Sequence, residues 1–146
     1  MATSQTRSRA GLAEDLRISI ARLSRRLRAQ GGSSLSATQH AALAAVDRHR
    51  SMTPGELAEH EKVQPPSMTR VISALEEQRL LIRSPHPTDG RQVVLNVTDK
   101  GKSLLKEERR RKEAWLARRL QELTSEERAI LRQAAPILEK LSQAAG

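Results

Sequence analysis

The 146-residue chain has no cysteine, no phenylalanine and no tyrosine, and Trp115 is its one Phe/Trp/Tyr aromatic. Without cysteine there is no disulfide framework, no thiolate metal site and no cysteine redox switch. A single tryptophan makes no platform for stacking successive unpaired bases, so a nucleic-acid partner would be a duplex rather than a single strand. No apolar run approaches the ~18 residues of a membrane-crossing helix, and Met1 to Arg9 lacks the apolar core of a secretory signal. The histidines His40, His49, His60 and His86 lack metal-ligand spacing. No Ser/His/Asp set, paired carboxylates or phosphate-cradling glycine loop stands out. The expectation is a soluble, cytoplasmic protein of one domain that is not an enzyme and holds no cofactor and no metal.

What the chain does have is positive charge, 26 Lys and Arg against 17 Asp and Glu, which invites a polyanion partner. The distribution complicates that inference. Residues 1–50 carry nine basic and three acidic side chains, residues 51–97 five and six, and residues 98–146 twelve and eight. The middle third is therefore the least basic, and a case for DNA binding there must rest on geometry.

The first nine residues are polar and read as a loose arm. Leu12, Leu16, Ile20, Leu23 and Leu27 then recur at steps of three or four, the stripe of an amphipathic helix that ends at Gln30-Gly31-Gly32-Ser33-Ser34. Ser36 can cap a second helix with Ala41, Ala42 and Val46 facing inward. Thr53-Pro54-Gly55-Glu56 is a capping box with proline at the first helical position, opening a short helix to about Glu61. Gln64-Pro65-Pro66-Ser67 starts the next, whose buried stripe is Met68, Val71, Ile72 and Leu75. Pro66, Arg70 and Ser73 point the opposite way, with Ser67 and Thr69 on the flanks. Leu81-Ile82-Arg83 and Val93 to Val97 read as strands of one hairpin joined by the polar loop Pro85 to Arg91. Thr98 caps a long helix to about Leu123, whose middle, Lys106 to Glu113, is too charged to be packed all round. Thr124-Ser125-Glu126-Glu127 is a further capping box. It opens a last helix with Ile130, Leu131, Ala134, Ile137, Leu138 and Leu141 on one face and Pro136 inside it.

A helix-turn-helix followed by a hairpin with an arginine near its tip is a device for gripping duplex DNA. In order and spacing, the chain from roughly Leu12 to Leu141 resembles the MarR family of winged helix-turn-helix transcriptional regulators. The residues carrying the resemblance are Leu57-Ala58, Val63 to Ile72, Leu75-Glu76, Asp89-Gly90-Arg91, Leu95 to Thr98 and Gly101. The resemblance implies a mainly α fold with a small β-hairpin wing. Residues 10–30 and 124–144 would be dimerisation helices, 36–97 the DNA-binding lobe and 98–123 a long connecting helix. It also implies a homodimer on a palindromic operator, usually as a repressor relieved by a small-molecule effector. The family often has a small polar cap and then a non-proline residue where this chain has Gln64 and Pro65.

On that reading the DNA-binding residues are Gln64, Pro65, Pro66, Ser67, Thr69, Arg70, Ser73, His86, Asp89 and Arg91. Arginine can pair bidentately with guanine, which singles out Arg70. Ser67 and Thr69 would bind phosphate or base. Pro65 and Pro66 shape the first turn or press on a thymine methyl. Arg91 would enter the minor groove, as the wing arginine does in similar proteins, with Asp89 holding it by an ion pair, and His86 would touch backbone phosphate. Arg48, Arg50, Lys100 and Lys102 would add positive charge beside the reading head. Trp115 would pack in the dimer core or line an effector pocket. Two other readings stand: a winged-helix module that binds protein rather than DNA, favoured by the −1 charge of residues 51–97, and a non-specific architectural DNA-binding protein driven by the basic flanks.

Overall fold

The computed structural model describes residues 9–145. The expected polar arm lies outside the described residues except for Arg9, which opens the first helix. Six helices and one hairpin follow in the order α1 (Arg9–Gln30), α2 (Ala37–His49), α3 (Pro54–Glu61), α4 (Pro65–Glu77), β1 (Leu81–Pro85), β2 (Val93–Val97), α5 (Asp99–Gln121) and α6 (Ser125–Ser142). Four helices start at hydroxyl caps visible in the sequence. Ser36, Thr53 and Thr124 form reciprocal capping boxes with Gln39, Glu56 and Glu127, and the Thr98 hydroxyl accepts from the Gly101 N–H.

The core belongs to residues 42–105. Leu43 and Val46 of α2, Leu57 of α3, Met68, Ile72 and Leu75 of α4, then Leu80, Leu95 and Leu105, are almost wholly buried. α2 is buried more broadly than a single stripe. Ala42, Leu43, Ala45 and Val46 are all inside, whereas Ala41, predicted to face inward, is only half-buried. The helix is covered by α4, α3, β2 and α5, so more than one of its faces meets the core.

β1 and β2 pair antiparallel from Leu81 opposite Val97 to Pro85 opposite Val93. Ser84 and Pro85 therefore belong to the strand, two residues beyond the predicted end at Arg83. The register carries on because Asn96 Nδ2 donates to Ser84 Oγ across the ladder at 2.9 Å. Pro85, which has no N–H to pair, sits at the last rung, where that loss is tolerated. Met52 exchanges two backbone hydrogen bonds with Leu95, N–H to O at 3.3 Å and 2.7 Å, and makes a one-residue third rung on the wing.

The lobe ends where α5 crosses the turn after α4. The Thr98 N–H and hydroxyl both donate into the Arg79–Leu80 carbonyls. A Cβ on Gly101 would lie 2.6 Å from both Leu80 O and Val97 Cγ1, so only glycine allows the helix to start this close. α1 packs along α5, and neither α1 nor α6 buries a residue completely. α6 runs unbroken through Pro136. Among the described residues no helix is long and apolar enough to cross a membrane.

Candidate nucleic-acid interface

The turn between α3 and α4 is Lys62-Val63-Gln64. Lys62 takes a left-handed conformation (φ 54°) and closes α3 with its N–H on Glu59 O, while the Val63 N–H reaches Ala58 O. Gln64 is extended, as a residue preceding proline must be. Pro65 and Pro66 then fill the first turn of α4. They remove two N–H groups that would lack partners at a helix start. The Met68 N–H donates to Gln64 O at 2.9 Å, the first rung of the α4 ladder. The Gln64 side chain makes no cap hydrogen bond and is exposed.

α4 divides cleanly into two faces. Met68, Ile72 and Leu75 are buried and Val71 is half-buried. Pro65, Pro66, Ser67, Thr69, Arg70 and Ser73 are exposed. Arg70 has no ion-pair partner among the described residues. The Thr69 hydroxyl donates back to Pro65 O at 3.0 Å, a carbonyl already in the helical ladder, and its oxygen remains able to accept.

The wing loop is organised by two side chains. His86 Nδ1 accepts from the Thr88 N–H at 3.2 Å and the Asp89 N–H at 3.1 Å. Backbone amides can only donate, so Nδ1 carries no proton and the ring hydrogen is on Nε2. Sequence alone placed His86 as a phosphate contact, and its visible work is folding the loop. Asp89 Oδ1 accepts from the Arg91 N–H at 3.0 Å and lies 3.6 Å from Arg91 Nε, while its carbonyl accepts from Gln92 N–H. The Arg91 side chain is 95% exposed, so Asp89 orients it without covering it.

A further pair fixes the wing against α4. Arg83 Nε and Nη2 donate to both oxygens of Glu76 at 3.0–3.1 Å. This bidentate bond raises the Arg83 pKa further and ties β1 to the helix that carries Arg70. Nothing local in the sequence signals it, because the partners are seven residues apart on different elements. Four of the six acidic side chains of residues 51–97 have a specific partner. Glu76 is spent on Arg83, Asp89 on Arg91 and Glu61 on His60, and Glu56 is spent on the cap. Hydrogen bonds from Thr53 hold the Glu56 carboxyl below its ordinary pKa. Lys100 Nζ donates to Gln78 O just past the end of α4, where cations are favoured, while Arg48, Arg50 and Lys102 are exposed.

Trp115 is half-buried on α5, with the guanidinium carbons of Arg26 and Arg119 5.0 Å and 5.8 Å from its ring centre.

Comparison with known proteins places this geometry. The profile of the MarR family matches residues 35–93. An HTH-type transcriptional regulator of Mycobacterium tuberculosis is 48% identical over 132 residues, covering 90% of this chain and 92% of the relative. The HTH-type transcriptional repressor MdtR of Bacillus subtilis is 37% identical over 103 residues, 70% of this chain and 64% of the relative. The crystal structure of a putative transcriptional regulator from Pseudomonas aeruginosa superposes with a TM-score of 0.85 at 31% identity, over 96% of this chain and all of that one.

Proposed function

The chain belongs to the MarR family of helix-turn-helix transcriptional regulators, and from that premise we propose that it is a homodimeric repressor whose two reading heads grip a palindromic operator. The observation that carries the reading is the division of α4. One face is fixed in the core, and the other presents Pro66, Ser67, Thr69, Arg70 and Ser73 beside a wing whose Arg91 is held at the tip. α4 enters the major groove, where Arg70 pairs with a base edge and Gln64, Ser67 and Thr69 contact base or phosphate. The wing follows the flanking minor groove, and its Arg91 enters it. The Nε2–H of His86 is the wing donor left for phosphate.

The dimer reading rests on apolar surface. Leu12, Ile20 and Leu23 of α1, and Ile130, Leu131, Ile137, Leu138 and Leu141 of α6, are 41–63% exposed in the single chain. Runs of leucine and isoleucine at helical spacing are not left in water without a partner. A second copy covers them and sets two heads about one helical turn, ~34 Å, apart. A small effector acts by changing that separation, and so the population of the DNA-competent dimer.

Selection of duplexes from a random pool by the full-length protein tests the reading. A two-fold motif with half-sites one turn apart is expected. Recovery of no preferred sequence would refute it. The low charge of the head favours one rival, a module that binds protein instead, which requires Arg70→Ala and Arg91→Ala to leave DNA affinity unchanged.

A further inference from the structure

The loop that carries Arg91 draws much of its order from one imidazole. Beyond the last rung of the hairpin, Pro85 opposite Val93, its backbone closes on itself through His86 N–H to Gln92 O at 3.1 Å and Gln92 N–H to Asp89 O at 3.0 Å. Two more amides, those of Thr88 and Asp89, end on His86 Nδ1 at 3.2 Å and 3.1 Å, with Thr88 Oγ1 a third neighbour at 3.3 Å. Asp89, hung from the ring by its own N–H, takes the Arg91 N–H on Oδ1 and lies beside the Arg91 guanidinium. The dependence therefore runs from His86 to Asp89 to Arg91. Turns of this kind are commonly held by the side-chain oxygen of Asn, Asp, Ser or Thr, accepting from a backbone amide two residues on. Here the acceptor is a ring nitrogen, which a proton can take away.

We propose that His86 is the positioning residue of the wing: the neutral ring, with its hydrogen on Nε2, sets the loop that presents Arg91, and protonation of Nδ1 releases that loop and lowers operator affinity. The consequence for DNA rests on the DNA-binding reading above.

The direction follows from hydrogen-bond chemistry. Nε2 already carries the ring hydrogen, so a second proton can go only to Nδ1. It turns the acceptor of two amides into a donor facing two donors, and both bonds must break. Asp89 loses its tie to the ring, and Arg91 loses the carboxylate that orients it. The ring is half-buried and open to solvent protons. The charged groups around it are Asp89 and Arg91 within the loop and, from the start of α3, Glu56, whose carboxylate interacts with both His86 and His49. Carboxylates thus outnumber cations about a ring that is to be charged. Protonation also adds one positive charge beside the duplex, which favours binding. Arg91 already brings a cation to the same tip, and entry into a groove depends on where that cation is held, so the loss of placement outweighs the added charge.

The test compares three full-length proteins on the pool-selected duplex between about pH 7.5 and pH 5.5, the span in which histidine side chains titrate. His86→Asn keeps a neutral oxygen able to accept from the same amides and does not titrate. His86→Ala removes the acceptor. His40, His49 and His60 are common to all three, so their titration cancels. Wild type is expected to lose at least about fivefold more affinity in acid than His86→Asn, and His86→Ala to bind at least about fivefold more weakly than His86→Asn at pH 7.5, the low end of ordinary coupling between sites. A wild-type profile parallel to that of His86→Asn, a wild-type affinity that rises in acid relative to it, or equal binding by the two variants at pH 7.5 overturns the proposal. Nitrogen-15 spectra of the histidine rings and backbone amides, taken without DNA, supply an independent readout. His86 should carry its hydrogen on Nε2 at pH 7.5, and the Thr88 and Asp89 amide resonances should move with the protonation of that ring. A proton on Nδ1 at pH 7.5, or amides indifferent to the ring, overturns the proposal whatever the DNA result. Failure to select any preferred duplex, with the ring and amide signature present, refutes the DNA-binding reading and leaves His86 as the organiser of a wing with another use.

Discussion

On the proposed reading Arg70 and Arg91 bring different kinds of contact to a duplex, and substitution should separate them. Arg70 stands on a helix whose opposite face is locked by Met68, Ile72 and Leu75, so its base of attachment is rigid. Arg70→Ala should cost ~1–3 kcal/mol per half-site and relax discrimination at one base pair, as removal of a bidentate arginine–guanine pair does. Arg91 sits on a loop held by Asp89 and His86. Arg91→Ala should remove a minor-groove contact, weakening binding most where the flanking groove is narrow and A·T-rich, and make the salt dependence shallower. Titrations against matched, single-mismatch and random duplexes at several salt concentrations measure both effects. Gly101 makes a different demand. Its added Cβ would meet a backbone carbonyl, Leu80 O, which cannot swing away. Gly101→Ala should therefore destabilise the fold by ~1–3 kcal/mol, the usual range for overpacking, read by denaturant unfolding.

At the scale of elements, helix starts were legible because caps are local chemistry: Ser36, Thr53, Thr98 and Thr124 lie within three residues of the N–H groups they satisfy. The stripes of α1, α4 and α6 were legible because helical period is written in the order of residues. Contacts between elements were not. The Arg83–Glu76 clamp joins strand to helix, and Glu108 looks like one more solvated charge until α2 is laid across it. The extension of β1 to Pro85 was hidden for a related reason, since a proline and a serine beside a loop read as loop unless the partner strand is known. The apolar stripe of α6 was read correctly as a stripe, and its exposure gives it a consequence. Ile137, 61% exposed, lies amid Ala134, Leu138 and Leu141. Ile137→Glu places a charge in the proposed dimer seam. It should shift sedimentation toward the monomer at concentrations where the parent is dimeric, while the lobe of residues 36–97 keeps its fold. A dimer unchanged by this substitution places the seam elsewhere.

For the molecule as a whole, the distribution of charge and of apolar surface assigns different work to different thirds. The head, residues 51–97, is nearly neutral because five basic side chains face six acidic ones, so on the proposed reading it contributes shape and a few aimed side chains. The flanks carry most of the positive charge and the exposed apolar faces, and on the proposed reading supply attraction and assembly. Two heads joined through those flanks, as proposed, should then be sensitive to the spacing of the DNA rather than only to its sequence. Inserting ~5 base pairs at the centre of the selected operator turns one half-site to the far side of the duplex. The proposed dimer cannot follow without turning one subunit against the other, which would uncover the apolar faces of α1 and α6. Affinity should therefore fall to near that of an isolated half-site. An insertion of ~10 base pairs restores the facing but lengthens the span, and recovers little unless the heads can splay. If binding is indifferent to both insertions, each head works alone, and the exposed apolar faces of α1 and α6 serve something other than placing two α4 helices on one face of DNA.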